Sequence, residues 1–255
     1  MVKLDYMLKP QGRATRDTIG TMDFEVIVKE TVGDVAQTAA ALIVRILTES
    51  TGPCSITSLA VSGGSTPKHI FEIWQELKLP FLSNLHIFVS DERHVPVSHP
   101  DSNSGTLLSK WANASQANLH IPIITADIRQ DAVQYSQAIA DVLGEEPVFD
   151  CIMLGLGEDG HTASLFPNQQ SLESLTLVTA ANHGAPLPHI QRLTFTYPVI
   201  NNARHVVLIA CGASKRRWIE RYLAGGWNVA EFPFSGVRPA GKLWLVLDRD
   251  ACPET

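Results

Sequence analysis

FDCIMLGLGEDGHTASLFP, residues 149–167, is the stretch on which the fold reading turns. A short apolar run stops at three closely spaced glycines, as a buried strand does when it opens onto a loop. The loop satisfies GxGxxG over 155–160 and misses GxxxxGK[ST] by one residue. A dinucleotide fingerprint needs a helix after the third glycine and an acidic residue about 20 positions further on. Pro167 leaves barely two turns after Gly160, and no Asp or Glu lies between Glu173 and Glu220, so that reading fails. A phosphate loop of the lysine type needs Lys where His161 stands, and Glu158 and Asp159 would repel its phosphates. There remains a glycine turn that presents Asp159 and His161 at the mouth of a strand. Histidine is the side chain suited to take a proton from water near neutral pH. Asp159 either holds its tautomer or only braces the loop. The plainer alternative, a capping or core histidine, is disfavoured by the strand-end glycine loop.

Working outward, the same unit recurs. FEVIVK (24–29), ITSLAVS (56–62), LHIFVS (85–90), RHVVLIAC (204–211) and KLWLVLD (242–248) read as strands. Helical periodicity occupies 32–49, 66–78, 128–144 and 214–224. Alternating strands and helices predict an α/β fold: a three-layer, Rossmann-like arrangement with a mostly parallel sheet covered by helices on both faces. In such sheets ligands bind beyond the carboxyl ends of the strands. The polar clusters SGGSTP (62–67), SDERHVP (90–96), GLGEDGHTASLFP and GASK (212–215) all follow strands, so four strand ends are expected to converge on one rim.

The bulk properties exclude several function classes. The chain has 255 residues, 45% hydrophobic and 18% charged, with a net charge of −6. Its pI of about 5.8 argues against a surface built for nucleic-acid phosphates, so a basic site must be local. No stretch approaches the ~20 apolar residues of a membrane span, and the N-terminus has no apolar centre of the secretory kind. Cys54, Cys151, Cys211 and Cys252 are scattered without a CxxC, which predicts reduced thiols and a cytoplasmic setting. Residues 1–20 are expected to be a polar, flexible tail, and 21–255 one catalytic domain, monomeric or in a small homo-oligomer. The stretch 179–198, with three prolines and a glycine, is expected to be a long surface loop.

In SGGSTP, Thr66 fits a helix N-cap and Pro67 the first helical position, with the N–H groups of Gly63, Gly64 and Ser65 facing an anion. A plain strand–helix turn would account for the same residues. Arg93 in SDERHVP could fork onto a phosphate or carboxylate, unless the charged triplet only forms a salt-bridged loop. Lys215 opens a helix and could supply a second cation; Arg192 is a further, less well-placed cation. Arg216 and Arg217 fit solvated helix-face charges. No GxSxG is present for a serine nucleophile elbow. No HExxH or paired Cys/His spacing suggests a metal, and His94 and His99 are weakly placed for one.

These blocks resemble the 6-phosphogluconolactonases, which share their fold with glucosamine-6-phosphate deaminases and isomerases. VSGGSTP (61–67), SDERHVPVSHPDSNSGTLL (90–108), LGLGEDGHTASLFP (154–167), RLTFTYPVINNARHVVLIACGASK (192–215) and RPAGKLWLVLD (238–248) occur in the family's order. The resemblance implies a carboxylic ester hydrolase that opens 6-phospho-D-glucono-1,5-lactone to 6-phosphogluconate without cofactor or metal. It implies that His161 is the general base, with Asp159 beside it. Gly63, Gly64, Ser65 and Thr66 then form the phosphate-side loop, and Arg93, Lys215 and Arg192 are basic residues of the site. Asp91 stands where the deaminases keep a proton-transfer carboxylate. The deaminases also carry Tyr in place of Arg93 and Glu in place of Phe166, which favours the lactonase branch. The alternatives are a sugar-phosphate isomerase or deaminase on the same scaffold, and a sugar-phosphate sensor without turnover.

Overall fold

A computed structural model describes residues 14–19, 22–52, 56–182, 191–225 and 228–253. Cys54 lies outside them. The strands are β1 (Ala14–Ile19), β2 (Met22–Lys29), β3 (Thr57–Val61), β4 (Leu85–Val89), β5 (Asp91–Arg93), β6 (Asn118–His120), β7 (Cys151–Gly155), β8 (Val178–Asn182), β9 (Gln191–Phe195), β10 (His205–Ala210) and β11 (Lys242–Asp248). The α-helices are α1 (Val32–Ser50), α2 (Ser65–Gln75), α3 (Asn103–Lys110), α4 (Ile128–Leu143), α5 (Tyr197–Asn201) and α6 (Ala213–Leu223).

Eight strands form one sheet in the order β1-β2-β11-β10-β7-β3-β4-β6. Every pair is parallel except β1 with β2. Alternate residues of each inner strand enter opposite cores. Leu243, Leu245 and Leu247 of β11 pack with Leu208, Leu154 and Ile139 on one face. Trp244 and Val246 pack with Val207, Met153, Ile43 and Phe71 on the other. Burial on both faces is why these strands read as unbroken apolar runs. α1 starts under a capping box, Thr31 Oγ1 accepting from Asp34 N at 3.1 Å and Asp34 accepting from Thr31 N at 3.2 Å. It buries Val35, Ala39, Leu42, Ile43, Ile46 and Leu47, one stripe at helical spacing.

The chain runs from β3 through α2 to β4 in one direction along the sheet, and from β7 to β10 and β11 in the other. The reversal falls between β3 and β7, so the SGGST and GLGEDGH loops flank the topological switch point, where α/β sheets leave a crevice.

Three expectations are corrected. Within the predicted 1–20 tail, Ala14–Ile19 form a strand, antiparallel to β2 at the sheet edge; an edge strand requires no apolar run and carries little sequence signal. The predicted loop 179–198 holds most of β8, all of β9 and the start of α5, and β5, β9 and β8 make a separate three-stranded antiparallel sheet. Its strands, three to five residues long, leave too short a period to read. Residues 183–190 of that stretch lie outside the described ones. Finally, α2 begins two residues early. Gly64, at φ 116°, is its N-cap, so Thr66 and Pro67 take the second and third helical positions. Pro is tolerated there because first-turn N–H groups have no intrahelical partner.

Candidate active site

The chain end of β7 opens into the loop that carries Asp159 and His161. Thr162 Oγ1 donates to Gly155 O at 2.8 Å, Gly157 N to His161 O at 2.7 Å and Gly160 N to Gly157 O at 3.2 Å. The loop therefore closes on itself, and the N–H groups of Gly157 and Gly160 are engaged within it. Gly157 also makes room for the imidazole: a Cβ placed there would stand 2.1 Å from His161 Nδ1. Gly160, at φ 86°, sits so close to Phe232 that a Cβ would come within 2.8 Å of that ring. Outside the loop, Arg217 Nη2 and Trp218 Nε1 both donate to Glu158 O at 2.9 Å. Trp218 stacks on Phe232 with centroids 4.9 Å apart, so α6 holds the loop from behind.

Asp159 Oδ1 accepts from His161 N at 3.1 Å and lies 2.5 Å from its Nδ1. Burial opposes ionisation of this carboxyl, but hydrogen bonds from His161 and the charge of its ring outweigh that and bring it down to about 2. An ionised acceptor on Nδ1 selects the tautomer with the proton on Nδ1 and the lone pair on Nε2. Asp159 thus contacts the ring and, through His161 N, also braces the loop. Phe166 lies 4.7 Å from the imidazole centroid.

His161 lines a cavity of about 530 Å³ together with Gly63, Gly64, Ser65, Thr66, Arg93, Arg192 and Lys215. Of the predicted residues only Asp159 stands off its wall, behind the ring. The ends of β3, β7 and β10 meet there, with Asp91 and Arg93 following β4 and Asp248 and Asp250 closing the side at β11.

Two helices point their N-termini at this space without side-chain caps. α2 starts from Gly64, and α6 from Gly212 at φ 91°. Asp248, buried at 4% exposure, holds Gly212 N at 2.9 Å and Ala251 N at 2.8 Å, setting the start of α6. Lys215 sits in that first turn. Burial lowers its affinity for a proton, partly offset by Glu158 and Asp159.

Arg93 and Arg192 are direct partners across β5 and β9. Arg192 is pulled below its usual range by burial and by Arg93, against Asp91, Glu92 and Asp101. Like charges directly opposite on paired strands are destabilising unless something negative lies near. Arg93 Nη1 donates to Asp101 O at 2.7 Å. Asp91, 7% exposed, accepts from Ser164 Oγ at 2.8 Å.

Several residues in and behind the wall carry no functional signal in the sequence. Glu92, within a triplet open to a salt-bridged reading, accepts instead from Arg93 N, Asn103 N and Ser104 N at 2.8 Å each and from Ser102 Oγ at 3.1 Å. It ties β5 to the start of α3. Asn103 and Asp248 line the cavity. In the sequence Gly157 is only one of three closely spaced glycines. His94, a weak metal candidate by sequence, is paired with Asp131 at 2.9 Å.

The family model for glucosamine-6-phosphate isomerases/6-phosphogluconolactonase matches residues 30–245. The chain belongs to that family. A 6-phosphogluconolactonase of Synechocystis sp. is 40% identical over 204 residues, covering 76% of this chain and 82% of that protein. One from Nostoc sp. is 36% identical over 207 residues, covering 77% and 84%. Among solved structures, a 6-phosphogluconolactonase from Trypanosoma brucei superposes with a TM-score of 0.77 at 27% identity, covering 89% of this chain and 96% of that one.

Proposed function

We propose that this protein hydrolyses 6-phospho-D-glucono-1,5-lactone to 6-phospho-D-gluconate, the ester hydrolysis of the oxidative pentose phosphate pathway, with residues 21–255 acting as one catalytic domain. The observation that carries the reading is the oriented imidazole of His161 on the same cavity wall as two uncapped helix N-termini and a cluster of cations. Three of the cysteines are free thiols, which supports a reducing, cytoplasmic setting. Among the described residues no helix is long and apolar enough to cross a membrane.

A δ-lactone is an activated ester, so the protein has to position water, remove its proton and stabilise charge on the carbonyl oxygen. In this mechanism the lone pair on His161 Nε2 takes the proton from water as its oxygen adds to C1. The tetrahedral intermediate then collapses, the bond from C1 to the ring oxygen breaks, and the imidazolium returns its proton to that oxygen, which leaves as the C5 hydroxyl. Asp159 stabilises the imidazolium without taking the proton. General-base help of this kind is worth roughly 10²–10⁴-fold. The 6-phosphate rests on Gly63, Gly64, Ser65 and Thr66, where the α2 dipole and free N–H groups favour a dianion. Lys215, Arg93 and Arg192 supply the countercharge.

Generating the lactone enzymatically and following its disappearance, corrected for spontaneous opening, tests the reading. Ammonia release from glucosamine-6-phosphate with no acceleration of lactone opening would replace it with the deaminase reading. Phe166 argues against that outcome, since the ring that packs on His161 stands where the deaminases carry a glutamate. Binding of 6-phosphogluconate without turnover would leave a sensor.

A further inference from the structure

Asn103, the first residue of α3, is 6% exposed and contributes its amide to the cavity wall. The amide presses against Gly63, oxygen end first: a Cβ on that glycine would fall 1.8 Å from Asn103 Oδ1 and 2.9 Å from Nδ2. Its Nδ2 donates to Asp91 O at 2.7 Å. A backbone carbonyl can only accept, so the atom facing it must be the nitrogen, and this fixes the amide's orientation. Oδ1 is left as an acceptor beside Gly63, and among the described residues nothing donates to it. The wall behind is rigid, because the Glu92 carboxylate holds the backbone N–H of both Asn103 and Ser104.

We propose that Asn103 Oδ1 accepts a hydrogen bond from a hydroxyl of the sugar, so that Asn103 distinguishes a polyhydroxylated ligand from a bare phosphate. This rests on the sugar-phosphate lactone reading of the cavity. An amide oxygen repels phosphate oxygens and welcomes only a donor. The O–H groups of the lactone ring are the donors the ligand brings. The neighbouring N-terminus of α3 cannot substitute as an anion site, since its first N–H groups are already engaged by Glu92 and Ser102.

The test compares wild type with Asn103→Ala and with Asn103→Ser, whose short polar side chain suits a helix's first turn. Affinities for 6-phosphogluconate and for inorganic phosphate are measured on each, beside kcat and KM for the lactone. A neutral hydrogen bond of this kind is worth about 3- to 10-fold in affinity. Both variants should bind 6-phosphogluconate weaker by that factor and raise KM to match, with phosphate affinity and kcat unchanged. Parallel weakening for inorganic phosphate would overturn the proposal, because it would mean a deformed anion corner. Unchanged affinity for 6-phosphogluconate would overturn it as well, while wild-type lactone turnover keeps the parent reading standing. A wild type that neither opens the lactone nor binds 6-phosphogluconate would remove both.

Discussion

Helices α1, α3 and α4 start under side chains, while α2 and α6 start on glycine. Thr31 accepts from Asp34 N, Ser102 from Gly105 N, and Asp127 from Arg129 N and Gln130 N. Gly64 and Gly212 offer no such acceptor, and both border the cavity. α3 also reaches the cavity, yet its donors are engaged by Ser102 and Glu92, so it presents the Asn103 side chain instead. The first set of helix ends closes on its own side chains, and the second opens on the cavity where the proposed function puts the phosphate. Glycine in place of a capping side chain costs only a few tenths of a kcal/mol, so the fold can leave these donors open without much loss.

That contrast can be broken or sharpened by substitution. The largest effect is expected at His161, which separates turnover from anchoring. His161→Ala should lower kcat by roughly 10²–10⁴-fold with KM little changed. Normal turnover in a lactone assay would break the mechanism. Next comes Lys215→Ala, at an uncapped end. It should raise KM about 10-fold through loss of a charge-assisted contact, leave kcat near wild type and barely move the unfolding midpoint. An equal fall in kcat would show that anchoring and catalysis are not divided between these ends.

At a capped end the pattern should invert. Asp127→Ala is expected to cost about 1 kcal/mol in urea unfolding and leave KM untouched. A KM change there would erase the distinction between the two sets. The smallest effect concerns acid stability. Asp159 ionises at about 2 in the folded protein, against about 3.9 in an unfolded chain. Its contribution is therefore complete above pH 4 and lost as pH falls towards 2. Melting temperatures taken between pH 5 and 3 should fall more steeply for wild type than for Asp159→Asn. Equal slopes would mean that the pair with His161 contributes nothing to folding. The effect is small because the Asp159 side chain is 42% exposed and solvent screens it.

Legibility followed range along the chain. β3, β4, β7 and β10 were readable because burial on both faces makes each an apolar run, and the loops after them could be placed on one rim from that alone. His161 and Asp159 were readable as neighbours on one loop because they are two residues apart, but the contact between carboxylate and ring needed the folded turn. The antiparallel sheet was hidden in strands too short to show a period. Glu92 was hidden because its partners are backbone N–H groups of residues 103 and 104, which no side-chain pattern announces. Asn103 gains its meaning only from Gly63, forty residues earlier.

By itself the sequence determined a parallel, two-faced sheet, its polar strand-end loops and a glycine turn carrying Asp159 and His161, since these depend on local periodicity and short spacing. Only the tertiary structure decided that Arg93 faces Arg192, that Glu92 secures α3 rather than pairing with a cation, and that Gly63 yields its space to Asn103. Those outcomes depend on strand register and on distances between segments remote in the chain, which are set when the sheet and helices pack.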